Sequence, residues 1–394
     1  MARELSQESG RWSGWFEVVQ EVFHLAAANS VLIVGPFPPP YGGMALQAKA
    51  LVERLQKDGI AVELLPTNPS VSTIISRVKG LRTAVQSLLF LWNLTFGISR
   101  SRVIHILGAS HWYFVLRVAP TVILAKLFGR RIILNYRGGE APSFFARFRL
   151  LVLPILRVVD VIVVPSAYLL RVFKDYGYSP VIVPNFVDLR RFRYRRRDRL
   201  KPNLLVTRSL EPLYNIKMAL NAFGLVQKRH PDARIDVIGG GSEENCLRNW
   251  VRQQGLPGVF FHGAMPSEEI PAYLENADIL LNPTNADNMP INLLEAFAVG
   301  IPVVTTNVGG IPDLVGQDEA ALTVNPNDVV SMAARIEQLL SHPQTVTRIT
   351  TRARSLCEQF NWEKIGRLWT ELYDAVGQGH HLKGKNGIHL TTEG

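Results

Sequence analysis

The chain has 394 residues, 47% hydrophobic and 19% charged, which excludes a disordered or fibrous polypeptide and is enough for two cores. Its net charge of +10 points to an acidic partner: anionic lipid, nucleic acid or a polyanionic substrate. Two cysteines, Cys246 and Cys357, are too few for a disulfide framework or a cysteine-based metal site and suit a reducing, cytoplasmic setting.

Residues 1–28 predict an appended helix with Trp15, Phe16, Val19, Val22 and Phe23 along one side. That side fits docking on the protein body or on a membrane surface. The segment lacks the basic start and apolar run of a secretory signal. From residue 29, apolar runs alternate with amphipathic stretches. "SVLIVG", "IAVELLP", "RVIHILG", "RRIILNY", "VDVIVVPS" and "SPVIVPN" read as buried strands with helical stretches between most of them. The alternation restarts with "NLLVTRS", "ARIDVIGGG", "VFFHG", "DILLNPT" and "IPVVTTN". Two doubly wound α/β units are predicted, 29–189 and 204–360, with ligands expected beyond the carboxyl ends of the strands and in the cleft between units. Residues 190–203 form a basic linker, 361–376 a closing helix, and 377–394 a mobile tail.

Two apolar stretches, 112–128 and 150–164, are interrupted by charge and proline and are too short for a membrane span. "RVKGLRTAVQSLLFLWNLTFGISRSR" (77–102) mixes bases with an apolar run and fits either a core-facing helix or an anionic membrane surface. "RRFRYRRRDR" (190–199) reads as a solvated linker or a functional patch. No stacking module accompanies it, so nucleic acid is not the expected partner.

"ADNMPINLLEAF" sets Asp287 and Glu295 on either side of a helix start, with no cation between them. Pro290 suits the first turn. The free amides at that helix end, around Asn288, Met289, Ile291 and Asn292, favour a diphosphate. Glu295 could accept hydrogen bonds from vicinal hydroxyls such as those of ribose, and Asp287 could hold a second sugar. A capped helix with one exposed Glu has the same spacing. In the first half, Gly42 and Gly43 of "GPFPPPYGGMA" permit close approach to a phosphate or sugar, or simply make a turn. His105 and His111 in "VIHILGASHW" read more readily as satisfied structural histidines.

"ADILLNPTNADNMPINLLEAFAVGIPVVTTNVGGIPDLV" resembles the nucleotide-sugar-binding region of the retaining family 4 glycosyltransferases, whose fold is GT-B. Their hallmark is Glu, seven residues, Glu; here Asp287 replaces the first Glu and Glu295 is the second. Gly300, Pro302, Val303, Val304, Thr305, Gly309 and Gly310 match the elements that follow. Pro184, Asn185, Val187, Asp188 and Phe192 match a second motif. The "GGG" turn with Gly240 and the Gly42–Gly43 loop also fit, and the resemblance spans roughly 30–376. It implies two Rossmann-like domains facing across a cleft, and sugar transfer from a nucleotide-diphosphate sugar to a hydroxyl acceptor with retention.

The resemblance further implies no metal and no cofactor beyond that co-substrate, and an acceptor that is a glycan or lipid-linked. It implies a cytoplasmic place, with peripheral attachment to the inner membrane face as an option. Arg208 stands where the family carries a phosphate-binding Arg; the family's Lys position is Tyr214, with Lys217 nearby, either as a donor-side cation or on the helix pointing away. Arg137 stands where many members have a His; it could contact phosphate or an acidic acceptor, or pair with Glu140, and Gly138, Gly139, Glu140 and His111 are expected on the acceptor side. A catalytically impaired homologue that binds a nucleotide or glycan is the alternative.

Overall fold

The computed structural model describes residues 31–39, 41–69, 79–197 and 199–379. The extension 1–28 and the tail from 380 lie outside the described residues. The first unit runs β1 (Val31–Gly35), α1 (Gly43–Lys57), β2 (Val62–Pro66), α2 (Lys79–Arg100), β3 (Val103–Gly108), α3 (Ala119–Leu127), β4 (Arg131–Tyr136), α4 (Ala141–Arg157), β5 (Val161–Val164), α5 (Ala167–Lys174) and β6 (Val181–Ile182). A helical stretch over 111–118 leads into α3. The second unit runs β7 (Asn203–Thr207), α6 (Ile216–Gln227), β8 (Arg234–Ile238), α7 (Glu244–Gln254), β9 (Val259–Gly263), α8 (Ile270–Asn276), β10 (Ile279–Asn282), α9 (Ile291–Val299), β11 (Val303–Thr306), α10 (Ile311–Val315), β12 (Leu322–Val324), α11 (Val329–Ser341) and α12 (Pro343–Cys357). The last helix is α13 (Trp362–Gly377).

Each unit holds one six-stranded sheet, and every strand pair is parallel. The first sheet is ordered β2-β1-β3-β4-β5-β6 and the second β12-β11-β10-β7-β8-β9. Parallel strands covered on both faces are mostly apolar, and β1 and β3 are buried along their full length, His105 being the polar side chain among them. This is the two-unit doubly wound architecture that the resemblance implies. β12 was not anticipated: three residues make too short a run to stand out.

The chain crosses between units twice. After the second unit closes, α13 returns to the first sheet and buries Trp362, Ile365, Trp369, Leu372 and Tyr373 against Val31, Ile33, Leu51 and Val103. Trp362 donates its indole N–H to Asp58 (2.7 Å) and the Tyr373 hydroxyl meets His105 Nδ1 (2.7 Å). His105 is therefore a structural partner of α13, and burial lowers its pKa to about 3, so it stays neutral.

The arginine run between the units is only partly solvated. Arg197 is 2% exposed and donates to the carbonyls of Val299 (3.0 Å), Leu274 (3.0 Å) and Ala277 (3.2 Å). Its guanidinium satisfies orphan carbonyls at the end of α8 and shares the Val299 carbonyl at the end of α9 with the Arg195 N–H (2.9 Å). Among the described residues no helix is long and apolar enough to cross a membrane.

Candidate functional site

In the second sheet the strand order reverses between β7 and β10, and in the first between β1 and β3. Loops leaving the carboxyl ends of such strands diverge and leave a crevice. The loops after β1, β3, β4, β7, β8 and β10 all contribute to one cavity of about 400 Å³, lined by both units. That volume suits a small organic ligand.

The floor of the cavity is the start of α9. Pro290 is extended (φ −70°, ψ 128°) and takes the N-cap position, one residue earlier than the first-turn place expected for it. The Ile291 amide therefore opens the helix, where a proline would have removed a donor. No side chain caps this end, and Pro290, Ile291 and Asn292 line the cavity. Its first-turn amides can thus receive an anion. The preceding loop is held by Gly310, whose N–H donates to the Asp287 carbonyl (3.1 Å). A Cβ on Gly309 (φ +57°) would lie 1.8 Å from that same oxygen, so only glycine fits there.

Arg208, just past β7, pairs through Nη2 with the Asp287 carboxylate, and Nη1 donates to Asn292 Oδ1 (3.4 Å). Tyr214 lies under the guanidinium, with Cζ 4.0 Å from the ring centroid. Such a stack holds the guanidinium plane in place. Burial pushes the Tyr214 phenol up, with Arg208 opposing, and it remains neutral. Arg208 Nε is buried without a partner among the described residues, as is the Thr207 hydroxyl beside it. Glu295, one turn into α9, borders the cavity. Desolvation raises its carboxyl to about 7, with Arg191 opposing. A carboxyl with a pKa near 7 inside a cleft marks a functional candidate.

The first unit supplies the opposite wall. Arg137 donates to Asn185 Oδ1, and burial lowers it to about 10, so it keeps its charge at neutral pH. Asn185 in turn donates to the Met289 carbonyl (2.7 Å), and the Asn288 side chain donates to the Arg137 carbonyl (2.7 Å). These bonds tie the loop after β4 to the loop before α9. Gly139 faces Asp287 so closely that a Cβ would sit 3.1 Å from its Cα. His111 Nε2 is 3.4 Å from Glu140 at the cavity edge.

Fourteen of the seventeen residues expected to bind or react line this cavity: Gly43, His111, Arg137, Gly138, Gly139, Glu140, Arg208, Asp287, Asn288, Met289, Pro290, Ile291, Asn292 and Glu295. Three others do not. Lys217 points its ammonium at the Trp250 ring (5.5 Å) from the outer side of α6, because the neighbouring Ile216 and Met218 fix the buried face of the helix. It therefore does not replace the missing lysine. Gly240 packs against Ala264 while Gly239 borders the cavity, and Gly42 caps α1 behind Gly43. Sequence reasoning overlooked Thr207, Tyr41 and Asn185 as site residues. The signal for Thr207 was its place at the carboxyl end of a strand beside a switch point.

Comparison with known proteins places this geometry. The "Glycosyltransferase Family 4" model matches residues 41–191 and the "Glycosyl transferases group 1" model matches 192–356. Glycogen synthase of Mycobacterium tuberculosis is 28% identical over 202 residues, 50% of this chain and 49% of that protein. Phosphatidyl-myo-inositol mannosyltransferase of Propionibacterium freudenreichii is 28% identical over 276 residues, 67% of this chain and 69% of that one. The chain spans about half the length of many curated relatives it matches. Anabaena HepE, solved with UDP and glucose, shares the fold at a TM-score of 0.69 and 16% identity, over 88% of this chain and 100% of that one. With two models matching in tandem over most of its length, the chain belongs to the family 4 glycosyltransferases, with the GT-B fold.

Proposed function

We propose that this chain is a retaining glycosyltransferase that moves a sugar from a nucleotide-diphosphate sugar to a hydroxyl acceptor in surface polysaccharide or glycolipid assembly. The observation that carries the reading is the convergence of Arg208, the uncapped start of α9 and Glu295 on one cavity shared by the two units. The relatives' own names point the same way: one makes glycogen and another mannosylates phosphatidyl-myo-inositol.

In this reading the diphosphate lies over the first turn of α9 and against Arg208. Asp287 then releases part of the guanidinium to the phosphate and turns to the sugar. Glu295 accepts from the nucleotide's vicinal hydroxyls. As the bond from the anomeric carbon to the diphosphate oxygen breaks, its electron pair goes to the diphosphate, where Arg208 and the helix amides stabilise the charge. The acceptor hydroxyl attacks from the same face and its proton passes to the departing diphosphate oxygen. Arg137, with Gly138 and Gly139, lies across the cleft, where an acidic acceptor or the donor phosphate would reach it. No metal is required in this scheme, because cations and amides carry the charge. We place the chain on the cytoplasmic side of a membrane, attached peripherally, with a glycan or lipid-linked acceptor.

Thermal shift with UDP, GDP, ADP and their sugars, followed by donor hydrolysis, tests the reading. One nucleotide should stabilise the protein and its sugar should be slowly hydrolysed, with Arg208→Ala removing both effects. Stabilisation without hydrolysis or transfer would mark the impaired, nucleotide-binding homologue. No response to any nucleotide would end the proposal.

A further inference from the structure

The charge of this chain is concentrated. Between Lys79 and Asp160 the sequence holds twelve Lys and Arg against two acids, a balance equal to the whole chain's +10. Both acids are engaged: Asp160 pairs with Lys126 (2.8 Å) and Arg131 (3.3 Å), and Glu140 faces His111 at the cleft. The remainder of the molecule is electrically balanced.

The same stretch folds into the layer α2, α3 and α4 over one face of the first sheet. Its inner side is one cluster that includes Phe90, Leu94, Phe114, Val122 and Val152. The outer side is apolar as well. On α2, Leu88, Trp92 and Phe96 recur every four residues, about 200° around the helix from Phe90 and Leu94. Leu88 is 69% exposed, Trp92 66%, Leu127 on α3 76% and Leu150 on α4 89%. α3 lies between α2 and α4 and touches both. Scattered exposed leucines are ordinary, whereas Trp, Phe and Leu across three adjacent helices mark an interaction surface. Arg147, Arg149 and Arg157 are exposed on α4 among these apolar groups. Basic residues interleaved with Trp, Phe and Leu are the composition that sits at a headgroup boundary.

We infer that the outer face of α2, α3 and α4 rests on an anionic bilayer, with Leu88, Trp92, Leu127 and Leu150 in the headgroup boundary and the α4 arginines on lipid phosphates. A second copy of the chain is a poor occupant, because a two-fold contact would set this basic surface against itself. Nucleic acid would use the charge but leave the aliphatic side chains unmatched. The inference deepens the peripheral placement proposed above and names the face responsible. α4 begins directly after Glu140, and Trp112, beside His111, is exposed next to the cleft. The docked face therefore adjoins the acceptor side of the cavity, and a lipid-linked acceptor reaches it by lateral diffusion.

The test is co-sedimentation with vesicles of phosphatidylcholine, with and without phosphatidylglycerol, near physiological salt. The wild-type chain should partition onto the phosphatidylglycerol vesicles and stay off the neutral ones. Arg147→Gln with Arg149→Gln should weaken partition about thirtyfold. Leu88→Gln, Trp92→Gln and Leu127→Gln together should weaken it on the order of a hundredfold. All these side chains are exposed, so the circular-dichroism melt should not move. Wild-type protein left in the supernatant, or variants that bind as well as wild type, would overturn the inference. So would a wild-type dimer in sedimentation that the apolar triple variant dissociates. Vesicle binding is read without substrate, so a protein that binds vesicles but responds to no nucleotide sinks the transferase reading alone, and the reverse result sinks this one alone.

Discussion

Replacing Glu295 by glutamine and following nucleotide affinity across neutral pH probes the centre of the site. The Glu295 carboxyl is raised to about 7 by desolvation. Only its ionised form accepts from both hydroxyls of a vicinal pair. Roughly one carboxyl in ten is ionised at about pH 6 and nine in ten at about pH 8. Affinity for the preferred nucleoside diphosphate should therefore rise about tenfold over that range, or about 1.4 kcal/mol. Isothermal titration of wild type and Glu295→Gln at each pH isolates this term, because the phosphate's own titration is common to both. The 2′-deoxy nucleotide should lose most of the dependence.

Stability moves the opposite way. The folded chain holds this proton up to about 7 while the unfolded chain releases it near 4.5, so stability falls as pH rises through that window. Glu295→Gln removes the loss and should gain roughly 1–2 kcal/mol above about pH 7, after discounting for partial exposure. It should gain nothing below about pH 4. A glutamine variant with the wild-type pH profile for affinity would refute the assignment of Glu295 to the hydroxyls.

Three further perturbations separate positioning from packing. Tyr214→Phe keeps the ring under Arg208 and should retain transfer, whereas Tyr214→Ala frees the guanidinium and should lower kcat about tenfold with little change in melting temperature; steady-state kinetics decide. Gly309→Ala would drive a methyl into the Asp287 carbonyl, so nucleotide-induced thermal stabilisation should vanish while the far-ultraviolet spectrum persists. Arg197→Met removes the donors to the buried Leu274 and Ala277 carbonyls at the end of α8, while the Val299 carbonyl keeps the Arg195 N–H; it should cost roughly 3 kcal/mol in urea denaturation without altering nucleotide affinity relative to the folded fraction.

Much of the fold was legible because parallel, doubly covered strands are mostly apolar: β1 and β5 are so throughout, and β3 and β4 are interrupted only by His105, Arg131 and Asn135. β12 escaped because three residues carry no period. Asp287 and Asn292 were legible from their places around a helix start, where ligand chemistry gathers, whereas Arg208 was legible only through the family resemblance. For Lys217 the sequence left two places open, the donor side or the outer face of its helix; the helix buries Ile216 and Met218 and turns Lys217 outward. The bonds from Asn288 to Arg137 and from Asn185 to Met289 join residues more than a hundred positions apart. Nothing local in the sequence announces such pairs. The partnership of Tyr373 with His105 is of the same kind.

The return of α13 to the first sheet has a consequence for biosynthesis. Trp362, Trp369 and Tyr373 complete a core whose other members, such as Val31 and Leu51, leave the ribosome more than three hundred residues earlier. The first half to be translated is thus the last to be sealed: until the final helix emerges, one side of its sheet stays wet. Nascent chains released near residue 360 should carry that unsealed surface and be preferred chaperone clients, while the later-made half already stands closed.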